Sequence, residues 1–125
     1  IAASVVIGRC ACYNAFGNGR YFLQFNTTFV PEKLLVSNCV FGQMNATVLD
    51  GTQTMRATNP KLTTVFIENS YKTTDFFVHT GYPMTGISEY TGTAADLFVD
   101  PAARNFRIKD VNFGGLTTAG DPRWR

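Results

Sequence analysis

The chain has 125 residues, 45% hydrophobic and 16% charged, with a formal net charge of +2. That length suits one domain with a real core rather than two, and the composition excludes a disordered chain. Lys and Arg are scattered with no basic run, which excludes charge-driven binding to nucleic acid or anionic lipid. No stretch approaches the roughly eighteen apolar residues of a membrane-spanning helix.

Eleven Phe and five Tyr against a single Trp favour strands over helices. The chain begins at Ile1 without a signal peptide, and is expected to be the C-terminal part of a longer protein, residues 1–125 forming a single domain. In the first strand, Ile7-Gly8-Arg9-Cys10-Ala11-Cys12, the alternation puts Cys10 and Cys12 on one face. With Cys39 they make three cysteines, and the lone His79 is too distant to complete zinc-ligand spacing. No metal site is expected. Buried thiols are the expectation, with a Cys10–Cys39 disulfide as the alternative if those strands are neighbours.

Tyr21-Phe22-Leu23-Gln24-Phe25 follows a Gly17-Asn18-Gly19 turn and reads as the next strand. Asn26-Thr27-Thr28 and Asn45-Ala46-Thr47 match the short glycosylation sequon, which also arises by chance. Val36-Ser37-Asn38-Cys39-Val40-Phe41 repeats the pattern of the first strand, and Thr47-Val48-Leu49 precedes an Asp50-Gly51 turn. The pattern returns at Ile67-Glu68-Asn69-Ser70-Tyr71-Lys72 and at Ile108-Lys109-Asp110-Val111-Asn112-Phe113. Between these lie Phe76-Phe77-Val78, a long loop at Thr85–Thr93, and Leu97-Phe98-Val99 before Asp100-Pro101. Pro101–Asn105 is the only helical turn expected.

The anchors Ile7, Val36, Ile67 and Ile108 are separated by 29, 31 and 41 residues. Such spacing predicts stacked repeats, with the long loop accounting for the largest interval. The third position of each repeat is Arg9, Asn38, Asn69 and Asp110. Asn and Asp tolerate the left-handed backbone of a corner, and Arg9 does not suit it.

Two segments carry a family likeness. Leu97-Phe98-Val99-Asp100-Pro101, followed by Phe106-Arg107-Ile108-Lys109, resembles the closing coil of right-handed parallel β-helices of the pectate-lyase-like superfamily. The ending Ala119-Gly120-Asp121-Pro122-Arg123-Trp124 resembles that of an uncharacterised domain in secreted or surface-anchored proteins of gut bacteria, often encoded among glycan-utilisation genes. The likeness implies an all-β, right-handed parallel β-helix of about four coils. Ile7, Cys10, Val36, Phe41, Ile67, Phe106, Ile108 and Phe113 would form its interior and Gly115–Arg125 its C-terminal cap. An open N-terminal coil would be a route to self-association. A β-sandwich is the alternative fold.

The likeness also implies a carbohydrate connection at the bacterial cell exterior, which must be weighed on the residues themselves. Lyase chemistry needs a strong base and Ca²⁺ held by several carboxylates. The acids do not recur at one position of successive repeats. Only Glu68 and Asp110 are expected close together, with Lys72, Arg107 or Lys109 as the base. No paired-carboxylate glycosidase motif is present, and His79 reads as a strand-end residue rather than a general base.

A non-catalytic polysaccharide-binding module asks less. Aromatic rings stack on sugars while polar groups fix the hydroxyls. Tyr71, Tyr82 and Tyr90 are the candidates, with Lys72 and Arg104 available to a uronate carboxylate. Trp124 reads as a terminal tuck. Under this reading no cofactor is required, and Ca²⁺ enters only if the chain is the C-terminal portion of a polysaccharide lyase with its catalytic residues upstream. A purely structural solenoid cap is the third reading.

Overall fold

The computed structural model describes residues 4–24, 33–59 and 65–124. The Asn26 sequon, Phe25, Glu32 and Arg125 lie outside them. The described chain is all-β with almost no helix, and most of its strands are short and parallel.

Three parallel sheets repeat in chain order. The first joins β1 (Ser4–Gly8), β4 (Lys33–Ser37) and β7 (Val65–Glu68). The second joins β2 (Ala11–Cys12), β5 (Val40–Phe41), β8 (Tyr71–Lys72) and β9 (Ser88–Glu89). The third joins β3 (Tyr21–Gln24) and β6 (Arg56–Asn59), extended by a bridge between Met55 and Val78. The anchors Ile7, Val36 and Ile67 stand opposite one another in the first sheet, in the register their spacing predicts.

The corner between the first two sheets explains this register. Arg9, Asn38 and Asn69 have φ of 56°, 55° and 47°, so all three corners turn through the left-handed region. Arg9 adopts that region as well, contrary to the expectation from its side chain. A turn flanked by two paired strands over-determines the backbone there and offsets the cost of about 1–2 kcal/mol. The next residues, Cys10, Cys39 and Ser70, form a column. Their Sγ and Oγ atoms donate to the carbonyls of Gly8 (3.3 Å), Ser37 (3.3 Å) and Glu68 (3.0 Å). Backbone bonds continue across the corner, from Arg9 N to Ser37 O at 3.0 Å and from Asn38 N to Glu68 O at 3.1 Å. Val40 N then donates to Cys10 O at 2.8 Å and Tyr71 N to Cys39 O at 2.9 Å.

The alternation of side chains divides the apolar residues into two clusters. Val36, Cys39, Phe41, Met44, Met55, Ala57, Phe76 and Met84 are buried between the sheets. Phe16, Phe22, Phe41 and Phe76 meet there with ring centroids 5.2–6.4 Å apart. Val40, the neighbour of Phe41, faces the opposite way into a second cluster with Ala94, Leu97, Phe98, Phe113 and Ala119. Ile7 and Ile67 are only partly buried because β1 and β7 are the edge strands of their sheet.

The C-terminal third departs from the expected closing coil. A capping box from Thr93 to Asp96 starts the short helix α1 (Ala94–Leu97), while the Pro101–Arg104 segment is a turn. β10 (Phe98–Asp100) pairs antiparallel with β11 (Asn105–Ile108), setting Phe98 opposite Ile108. Ile108 therefore does not extend the Ile7–Val36–Ile67 row, and Phe106, Ile108 and Phe113 belong to the second cluster rather than the interior. Residues 94–124 lie along the flank of the second sheet. The physical reason is the outward row Val40–Tyr71, which needs apolar cover. Gly115 permits the close approach, since a Cβ there would lie 2.7 Å from Ala119 Cβ and 2.8 Å from the Tyr71 ring. Trp124, in a 3₁₀ turn at Pro122–Trp124, meets Phe106 edge-on at 5.9 Å.

Two substitutions test this account by urea unfolding. Phe41→Ala should cost about 3–5 kcal/mol, because it opens a cavity where several rings meet. Asn69→Val should cost about 1–2 kcal/mol through the left-handed backbone, while Asn69→Gly stays close to the parent protein.

Candidate functional site

The inward row of the second sheet runs Cys12, Phe41, Lys72, Glu89. Its first two members belong to the core, and its last two are charged. Where the row turns from apolar to charged, Lys72, Val78, His79, Thr80, Pro83, Met84, Ile87 and Glu89 line a groove of about 390 Å³. That is within the usual size of a small-ligand site.

Lys72 Nζ donates to Phe76 O at 3.2 Å and lies 3.4 Å from Glu89 Oε1. The Lys72 side chain is 17% exposed and that of Glu89 75%, so the pair spans from the wall of the groove to solvent. His79 Nδ1 accepts from Gly81 N at 2.9 Å, which leaves the proton of the neutral ring on Nε2. Val78, Pro83, Met84 and Ile87 supply apolar surface beside these polar groups. The loop is held against the edge of β7 at Gly86, with φ +95°, where a Cβ would lie 2.8 Å from Ile67 O.

Next to the groove, on the outer face of the third sheet, stands a second group. Tyr21 is opposite Arg56 in the β3–β6 pairing, and Ala57 N donates to Tyr82 O at 3.0 Å, bringing Tyr82 alongside. The Arg56 guanidinium carbon lies 5.3 Å from the Tyr21 ring centroid and 5.0 Å from that of Tyr82. Arg56 Nη1 donates to the Tyr21 hydroxyl at 3.1 Å, and this bond holds the Tyr21 phenol pKa below its ordinary value. His79 meets the Tyr82 ring at 5.5 Å and joins this group to the groove.

The structure thus separates the residues singled out in the sequence. Lys72 lines the groove and Tyr82 stands beside it through His79. Tyr71 and Tyr90 lie instead under the C-terminal segment, in contact with Phe113 at 4.7 and 5.6 Å. The Tyr90 hydroxyl donates to Asp110 Oδ2 at 2.6 Å. Burial, then the Asp110 carboxylate, pushes the Tyr90 phenol up to about 12, while the same bond holds Asp110 below the usual carboxylate range. Arg104 is exposed in the β10–β11 turn, at φ 63°. Trp124 belongs to the second cluster's edge.

Tyr21 and Arg56 escaped the sequence reading. They are 35 residues apart, and only strand register places them together. The one usable signal was that both are polar neighbours of inward-facing residues, Phe22 and Ala57.

The carboxylates are mostly engaged locally. Asp75 accepts from Thr73 Oγ1 at 2.5 Å and Ala94 N at 3.1 Å. Asp96 accepts from Thr93, Asp50 from Thr52, and Asp121 from Arg123. Among the described residues, no three His, Cys, Asp or Glu side chains form a set able to hold a metal ion. No described helix is long and apolar enough to cross a membrane. The three cysteines are free thiols. Burial, reinforced by Cys39 and Cys10, pushes the Cys12 thiol up to about 12.

The raised groups, Cys39 among them, make the fold less stable at alkaline pH. A folded-state pKa above the unfolded one contributes stability that is present below the unfolded value and lost as pH rises through the folded value. Stability should therefore fall between about pH 9 and 12, as the unfolded chain releases the Cys12 and Tyr90 protons that the folded chain retains. Asp110→Asn should lower the Tyr90 pKa without returning it to normal, since burial is its larger cause. A phenolate absorbance titration, with Tyr90→Phe as the blank, measures that shift.

Across the chain, one family model matches residues 5–124, and its description is "Domain of unknown function (DUF5123)". No curated protein and no solved structure matches the chain.

Proposed function

The chain belongs to the DUF5123 family, and from its parallel strand pairing and the groove at Lys72 we propose a non-catalytic polysaccharide-binding module built as a right-handed parallel β-helix. Parallel pairing of β1–β4–β7 and β2–β5–β8–β9 supports the β-helix over a sandwich, whose sheets are antiparallel. The strong preference for right-handed crossovers between parallel strands supports its hand.

One observation carries the binding reading. The groove sets apolar surface from Val78, Pro83, Met84 and Ile87 beside Lys72, His79, Thr80 and Glu89. A sugar ring presents that same mixture of an apolar face and a polar rim. Tyr82 beside His79 adds an aromatic ring to the margin. Binding without turnover is favoured by the engagement of Asp50, Asp75, Asp96, Asp110 and Asp121 in intramolecular hydrogen bonds, which leaves them little freedom for acid–base work. Under this reading the module works at the bacterial cell exterior on polysaccharide, as the likeness of its 119–124 ending implies. Self-association would use the end formed by the edge strands β1, β2 and β3.

Retardation in polysaccharide affinity gels tests the proposal. The parent protein should be retarded by at least one neutral or acidic glycan. Lys72→Ala should weaken retention about tenfold, the loss expected for a hydrogen bond to a charged group, and His79→Ala about fivefold, the loss expected for a neutral one. Thermal unfolding of each variant confirms that the fold persists. Absence of retardation on every gel, or unchanged retention in both variants, would sink the reading. Release of unsaturated product from polygalacturonate with Ca²⁺ would replace it with a lyase.

A further inference from the structure

Arg56 is held in an unusual way for a half-buried cation. Its guanidinium stands over two rings, those of Tyr21 and Tyr82. The ion pairs among the described residues are Lys72–Glu89 and Arg123–Asp121, so no described carboxylate neutralises it. Among the described residues, one of its five N–H donors reaches the Tyr21 hydroxyl, and the buried Nε has no hydrogen-bond partner.

Ring contacts engage the face of a guanidinium and leave its edge, where the N–H groups point, unspent. An arginine serving only to pack would be expected to find a carbonyl or carboxylate for Nε, because an unmet buried donor is costly. Among the described residues its ring contacts are the phenols of Tyr21 and Tyr82, and His79 touches Tyr82.

We propose that the Nη end of Arg56, beyond its buried Nε, is a receptor for an oxyanion, a carboxylate or sulfate group carried by the bound ligand. The two-point edge of a guanidinium matches such groups bidentately. Tyr21 and Tyr82 hold the side chain in place beforehand, which limits the entropy lost on binding. His79 touches both Tyr82 and the groove, so a saccharide in the groove would present its acidic substituent toward this edge. That connection deepens the polysaccharide reading and rests on it. The oxyanion site itself does not.

Tyr21 is a built-in reporter. Its phenol is acidified by Arg56, so an anion docked on the guanidinium offsets that effect and returns the phenol toward its ordinary value. Phenolate absorbance is titrated in sodium acetate, sodium sulfate, and sodium chloride of matched ionic strength, and the Tyr21→Phe titration is subtracted to isolate Tyr21. The expected result is a saturable upward shift in acetate or sulfate beyond that in chloride. The stronger of the two arms distinguishes a carboxylate from a sulfate ligand.

Arg56→Gln should remove most of the acidification, leaving the smaller part due to Tyr82, and should abolish the response. If that variant fails to fold, Arg56→Lys keeps the charge without the fork and should lose most of the saturable shift. An equal shift in all three salts means screening alone and overturns the proposal, as does no shift. These titrations contain no polysaccharide, so their failure leaves the groove reading standing. Likewise, unchanged gel retention in Lys72→Ala and His79→Ala leaves the Arg56 site standing.

Discussion

The corner following the first sheet is the constraint on which the rest of the structure depends. Each strand pair is short, and β2, β5 and β8 contribute only two residues apiece. Such strands cannot hold a register by themselves. Left-handed residues at Arg9, Asn38 and Asn69 carry the hydrogen bonding of one sheet into the next without a break. The Cys10–Cys39–Ser70 column repeats one local bond three times and thereby sets each turn to the same shape. Cys39 N also donates to Ser70 Oγ at 3.1 Å, tying one rung to the next.

Once register is set, alternation distributes the side chains. Phe41 is driven into the ring cluster and Val40 is driven out of it. The outward row of Val40 and Tyr71 would be an exposed apolar surface, and the last third of the chain covers it. Tyr90 and Asp110 close one side of that cover through a short hydrogen bond whose strength depends on burial. The same register carries Lys72 and Glu89 to the end of the inward row, so the groove is a consequence of where the apolar core stops. The Tyr21–Arg56–Tyr82 group follows in the same way from the pairing of β3 with β6.

Much of the repeat was legible in the sequence. Ile7, Val36 and Ile67 could be aligned because each begins the same local pattern, and Asn38 and Asn69 announce left-handed corners through their own conformational preference. Ile108 begins a similar pattern, which by itself places it in the same row. Local pattern does not distinguish a parallel strand from one arm of a hairpin, and the Asp100–Arg104 turn makes it the latter. The tyrosines illustrate the same limit. Tyr71, Tyr82 and Tyr90 look alike in sequence. Two of them are covered by Phe113, a residue 23 to 42 positions away.

By itself, the sequence determined the all-β character, the spacing of the stacked anchors and the residue types able to turn the corners. These follow from properties of short segments: β propensity, alternation and left-handed tolerance. Only the tertiary structure decided which apolar face was inside, what covered the other, and which polar residues met. Lys72 joining His79, or Arg56 lying between Tyr21 and Tyr82, depends on register summed over several turns. A shift of one residue would send each of those side chains to the opposite face.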